Sequence, residues 1–206
     1  MPILAFVANK HNLNSIAALT GALEVDARTR ALPLRFLWQG EHTVSKLRAL
    51  GQETELLIAA LSFATANLPE MMVLMGELRD LEPAPFVVAG GPHPSARAAE
   101  VLKMGAGAVV IGEGEEALPA LLERLLEGES PAGLPGVATA AVDGGLLQGP
   151  RPKPVSLDAY PPIGVEHRRF GPIEITRGCP CACAFCQTSF LFGGRMRHRS
   201  VDNVVA

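Results

Sequence analysis

Up to residue 128 the chain alternates short apolar runs with amphipathic helical stretches, a pattern that restricts it to repeated strand–helix–strand units around a mainly parallel sheet. The expected strands are Ile3 to Val7, Leu34 to Trp38, Leu56 to Leu61, Phe86 to Ala89 and Ala108 to Ile111. Between them, Ile16, Leu19 and Leu23 share one helical face. Met71, Leu74, Met75, Leu78 and Leu81 recur at three- and four-residue intervals, and Leu118, Leu121, Leu122 and Leu125 repeat the pattern. Asn67 followed by Pro69 and Glu70 reads as a capping box, and Ser45 as the cap of a shorter helix over Lys46 to Leu50. Met71, Met72 and Met75 fit core filling better than a soft-metal or promiscuous binding surface.

Five such strands suit a flavodoxin-like (Rossmann-like) parallel sheet in a domain spanning residues 1–128, which is expected to close its own core. After Gly128 the texture changes. Pro131, Pro135, Pro150, Pro152, Pro154, Pro161 and Pro162 punctuate a linker over 129–170 that cannot hold a long helix. Within it, Val137 to Val142 and Leu146 to Leu147 flank Asp143-Gly144-Gly145, which predicts a small β-hairpin. A strand over Ile173 to Thr176 then opens a third segment, 171–206.

A formal net charge of -3 gives no basic footprint for nucleic acid. No run approaches the roughly 18 apolar residues of a membrane helix, and the apolar start lacks a signal peptide's basic flank, so a cytoplasmic protein is expected. All four cysteines fall between Cys179 and Cys186, too close to staple a fold. That clustering points to metal chemistry in a reducing compartment.

Cys179, Cys183 and Cys186 have C-x-x-x-C-x-x-C spacing, with Phe185 before the third cysteine. Three thiolates can hold three irons of a 4Fe-4S cluster and leave one iron open, whereas complete protein ligation would take four. Cys181 adds a fourth thiolate, so a four-cysteine zinc knuckle is the competing reading. The absence of a second, separated C-x-x-C pair argues against zinc. The motif strongly resembles that of the radical S-adenosylmethionine superfamily. The resemblance implies that the open iron chelates S-adenosylmethionine, that reductive cleavage yields a 5'-deoxyadenosyl radical, and that Cys181, at a position the motif leaves variable, is a bystander. Arg195 to Ser200 is similar to the basic stretch before the next helix of that superfamily, with Ser200 as N-cap, or else is a solvated surface run.

The front domain resembles the cobalamin-binding domain that many of these enzymes carry. Gly90-Gly91-Pro92-His93-Pro94 follows the fourth strand and Gly112-Glu113-Gly114-Glu115 the fifth, at the carboxyl ends where open α/β sheets bind ligands. Ser62 and Thr65 offer hydroxyls to the same crevice. The resemblance implies that Ser62, Thr65, Gly90, Gly91, Pro92, His93, Gly112, Glu113 and Gly114 contact cobalamin. His11 lies in register with the lower-ligand motif D-x-H-x-x-G, but Asn9 and Asn14 replace its aspartate and glycine, so a lower axial position without imidazole is expected.

The implied whole is a cobalamin-dependent radical enzyme, for methyl transfer or rearrangement. It would act on a small-molecule substrate with an electron donor such as a ferredoxin or flavodoxin. Only the first strand, cluster loop and start of a helix of a partial (β/α) barrel are expected here, so a fragment, or a second polypeptide completing the barrel, is anticipated. A non-catalytic cobalamin carrier or sensor and a zinc-binding interaction module are the alternatives.

Overall fold

Apolar residues on both sides of each central strand require cover on both faces, and the chain supplies it with helices. The computed structural model describes residues 1–181 and 183–205; Ala182 and Ala206 lie outside the described residues. Strands β1 (Ile3–Ala8), β2 (Leu34–Trp38), β3 (Leu57–Ser62), β4 (Phe86–Gly90) and β5 (Ala108–Val110) pair in parallel in the order β2-β1-β3-β4-β5, the flavodoxin-like arrangement. Ala5, Val7, Ala59, Leu61, Val87 and Val109 face α2 (Thr43–Gln52), α3 (Leu68–Arg79), α4 (Pro92–Ala96) and α5 (Ala98–Lys103) through a cluster that includes Leu47, Met71, Met75, Leu78 and Val101. Leu4, Phe6, Ile58, Ala60, Val88 and Val110 face α1 (Leu13–Val25) and α6 (Ala117–Leu126) through Ile16, Leu23, Leu118, Leu121 and Leu122. The expected methionine packing is present at Met71 and Met75, whereas Met72 points outward, 55% exposed.

The sheet does not stop at Gly128. The predicted hairpin, β6 (Val137–Ala140) and β7 (Leu146–Gln148), pairs antiparallel along β5 and makes a seven-stranded sheet. Val137 and Ala138 are fully buried in the two core clusters. An unpaired β5 edge would leave its backbone polar groups without partners, and the hairpin supplies them. Three local expectations are corrected. The Asn67 side chain makes no cap bond, because a 3-10 turn over Thr65–Asn67 runs straight into α3 and leaves Asn67 with near-helical backbone. α2 starts before Ser45, at Thr43, and the Ser45 hydroxyl donates to His42 O inside the first turn. The strand expected over Ile173–Thr176 is only β8 (Thr176–Arg177), since its partner β9 (Arg197–His198) offers two residues.

Between the hairpin and β8 the chain is strapped over α1. The Pro161 and Ile163 carbonyls pack against Gly21, where an added Cβ would lie 2.9 and 2.7 Å from them. Glu24 receives the backbone N–H groups of Glu166 and His167, and Arg169 stacks 4.2 Å over the Phe36 ring. The strap delivers the cysteine segment, with α7 (Thr188–Phe192) and α8 (Val201–Val205), to the carboxyl edge of the sheet. Ser200 caps α8 as expected, its hydroxyl accepting from Asn203 N at 3.2 Å. No described helix is long and apolar enough to cross a membrane.

Candidate functional site

The carboxyl edge opens into a cavity of about 270 Å³ between the sheet and α1 and α6. Its floor is apolar, built from Phe6, Ala60, Val88, Val110, Ile16, Leu19 and Leu118. Small side chains at Ala18 and Ala60 leave unfilled the space that larger residues would close. The mouth is polar and comes from four strand ends: Asn12 and Asn14 after β1, Ser62 as the last residue of β3, Gly90 closing β4 with Gly91 and Pro92 beyond it, and Gly112 to Glu115 after β5. The roof comes from the cysteine segment, through Glu174, Arg177, Leu191 and Phe192.

Asn12 holds the first two strand ends together. It is 3% exposed, donates from Nδ2 to Val7 O at 3.0 Å and Ser62 O at 3.1 Å, and accepts from Asn9 N. Gly91 adopts φ +92, and a Cβ there would sit 2.8 Å from Ser62 Oγ and 3.0 Å from Phe63 N, so this glycine serves the protein's own turn. Gly90 differs. A Cβ on it would meet only Val110, at 3.8 Å, and would otherwise project into the cavity. Ser95 Oγ fixes the next loop by accepting from Gly112 N at 3.0 Å.

Above this mouth lies a buried ion-pair network. Arg177, 8% exposed at its side chain, lies 2.6 Å from Glu115 and from Glu174 and 3.6 Å from Glu113. Arg197 donates to both oxygens of Glu113 and, at 2.7 Å, to Val155 O. Glu174 and Glu115 hold the Arg177 guanidinium above the usual arginine range despite its burial. Removing one partner would strand a buried charge, at a cost of roughly 3–5 kcal/mol. Arg199 is also buried and binds Leu157 O, Tyr160 O and Glu174 O, so Arg197 and Arg199 turn inward while Arg195 and His198 stay exposed.

Of the residues expected to contact a cofactor, Ser62, Gly90, Gly91, Pro92, Gly112, Glu113 and Gly114 line this cavity. Thr65 and His93 do not. Thr65 Oγ1 lies 3.1 Å from His93 Nδ1, and the buried His93 ring stacks on Phe63, shaping the loop from behind with its Nε2 unpaired. His11 is exposed and borders a separate polar cavity with Gln39, Glu41 and Glu70, while Asn9 Oδ1 accepts the His11 backbone N–H rather than orienting its ring. Asn12, Glu115, Arg177 and Arg197 were not anticipated as site residues. The only sequence trace was a Glu-rich turn and arginines of matching charge 62 and 84 residues away, pairable only by the fold.

The four cysteines carry free thiols, with Cys179 and Cys186 partly covered and Cys181 and Cys183 exposed. Cys181 leans on Cys179, which pushes its thiol above the ordinary value; Thr188 hydrogen-bonds Cys186 and holds it below. Among the described residues, no three histidine, cysteine, aspartate or glutamate side chains converge as a metal site would require. The donor set suits an iron–sulfur cluster chemically, and binding one requires the loop to gather its three thiols.

Residues 11–122 match the family described as B12 binding domain. The chain is 32% identical over 139 residues to an uncharacterized methyltransferase of Pyrococcus horikoshii, covering 58% of this chain and 29% of that protein. It is 31% identical over 157 residues to the hopanoid C-3 methylase of Methylococcus capsulatus, covering 68% of this chain and 29% of that protein. The chain thus spans under a third of these relatives' length. The radical S-adenosylmethionine methyltransferase TsrM from Kitasatospora setae, solved with cobalamin and a 4Fe-4S cluster bound, shares the fold at TM-score 0.72 and 21% identity, over 99% of this chain and 44% of that one. The cobalamin-dependent S-adenosylmethionine radical enzyme OxsB shares it at TM-score 0.67 and 16% identity, over 99% of this chain and 30% of that one.

Proposed function

The chain belongs to the B12 binding domain family, and from that premise we propose that it is the cobalamin-holding front end of a radical S-adenosylmethionine methyltransferase or related enzyme. The observation that carries this reading is the cavity at the sheet's carboxyl edge, apolar at its floor, glycine-lined at its mouth and roofed by the cysteine segment. A cavity of about 270 Å³ is too small for a whole cobalamin, so its lining would hold only part of the cofactor, such as the nucleotide tail. Gly90 leaves that mouth open, Ser62 and Asn12 give it polar edges, and backbone and shape supply most of the contact.

Cys179, Cys183 and Cys186 would hold the 4Fe-4S cluster. Bound cobalamin would supply a methyl carrier or radical partner, and the cluster would supply the electron for reductive cleavage of S-adenosylmethionine. The protein's part is to bind, orient and exclude water. Electrons would come from a ferredoxin or flavodoxin in the cytoplasm, and the substrate would be a small molecule. His11 stands outside the cavity, so it would not be among the residues that hold cobalamin there.

Hydroxocobalamin should bind the full chain at one per chain, and anaerobic reconstitution with iron and sulfide should give a cluster absorbance. Folded protein that retains neither overturns the reading. The uncollected cysteines favour one other possibility, a cobalamin carrier or sensor, which would bind hydroxocobalamin and build no cluster.

A further inference from the structure

We infer that Arg177 is a positioning residue that couples occupancy of the sheet-edge cavity to the conformation of the cysteine loop, an inference that rests on the cobalamin reading. The chain of contacts is short. Gly112, Glu113, Gly114 and Glu115 form one wall of the cavity, so an occupant bears directly on their backbone. The carboxylates of Glu113 and Glu115 are almost wholly withdrawn from water, with side-chain exposures of 5% and 4%. They turn away from the solvent and toward Arg177, at 3.6 and 2.6 Å. Arg177 is followed by Gly178 and then Cys179. Gly178 sits at φ +93 against the Arg195 carbonyl, where a Cβ would clash, so only glycine fits the tight turn that joins Arg177 to Cys179.

The network therefore links the cavity wall to the residue that opens the turn into the cysteine loop. Its chemistry also explains why arginine is needed. One planar fork reaches Glu115 and Glu174 together, and an ammonium on a flexible stem could not hold both in fixed geometry. Arg197 serves differently: it clamps Glu113 to Val155 O and so ties the same wall to the strap. Through these contacts a ligand that prefers one arrangement of the Gly112–Glu115 wall would bias the cysteine loop, and by linkage the state of that loop would alter affinity at the cavity to the same extent.

The test is hydrogen exchange of the full chain over residues 173–199, with and without hydroxocobalamin, for the wild type, Arg177→Met, Arg177→Lys and Glu115→Gln. In the wild type, hydroxocobalamin should slow exchange across Cys179 to Gln187 by about tenfold. With hydroxocobalamin raised until each variant is saturated, as read by visible absorbance, Arg177→Met and Glu115→Gln should lose most of that ligand-dependent protection, and Arg177→Lys should recover less than half of it. A merely structural arginine would change exchange equally with and without hydroxocobalamin. Protection that survives in both Arg177→Met and Glu115→Gln overturns the inference while leaving the cobalamin reading intact. A folded wild type that binds no hydroxocobalamin overturns the cobalamin reading and the inference built on it. Should Arg177→Met fail to fold, Glu115→Gln and Arg177→Lys, which keep the volume, decide the matter.

Discussion

Two adjacent glycines separate ligand contact from protein architecture. At Gly90 the nearest atoms to an added Cβ are Val110 O at 3.8 Å and Val110 Cβ at 4.0 Å, both ordinary contacts. Valine there should leave the unliganded fold within about 1 kcal/mol of wild type, since a β-branched residue suits a strand end. The same side chain would project into a cavity of about 270 Å³, where overpacking against a cofactor costs roughly 1–3 kcal/mol, or about 5- to 150-fold in Kd. Gly91→Val should behave oppositely. With φ +92 and Ser62 Oγ 2.8 Å from the new Cβ, it should lower stability by about 1–3 kcal/mol from backbone strain alone, before the clash is counted. Urea unfolding measures the first quantity and a visible-absorbance titration with hydroxocobalamin the second. A Gly90→Val protein that is stable and binds as tightly as wild type would refute the assignment of the cavity. A Gly91→Val protein as stable as wild type would refute the backbone argument.

Alanine at Cys179, Cys183 or Cys186 should each abolish the cluster formed on anaerobic reconstitution, whereas Cys181→Ala should leave it largely intact; equal dependence on Cys181, or stoichiometric zinc in the native protein by metal analysis, would contradict the three-thiolate site. Val137→Ala removes fully buried methyl groups from the core that the hairpin completes, and should cost about 2 kcal/mol in urea unfolding. Arg28 holds the Asp26 carboxyl below the usual carboxylate range. Its folded pKa is therefore depressed, so its contribution is present above the unfolded value of 3.8 and lost as pH falls through the folded one. Asp26→Asn should cost about 0.2–1 kcal/mol at pH 7 and progressively less as pH falls below the unfolded value, since the pair is partly solvated.

The parallel strands were legible because each is a short apolar run bounded by turn residues, and their helices because apolar positions recur at helical spacing. The hairpin was legible as a hairpin, but its docking onto β5 was not, since pairing partners in a sheet are chosen by the fold rather than by the turn. At the site, Gly90 and Gly91 look alike in sequence, yet one faces the cavity and the other its own protein. His93 and Thr65 have the chemistry of ligand contacts but use it on each other. Arg177 and Glu115 are 62 residues apart, and nothing local marks them as partners.

Equilibrium dialysis of the full chain against hydroxocobalamin, read by visible absorbance, tests the central claim most directly. The account predicts one cofactor per chain, retained at roughly tens of micromolar or below. It also predicts a bound spectrum without imidazole coordination that His11→Ala does not change, because His11 lies outside the cavity. Folded protein that retains no hydroxocobalamin in that range would contradict it.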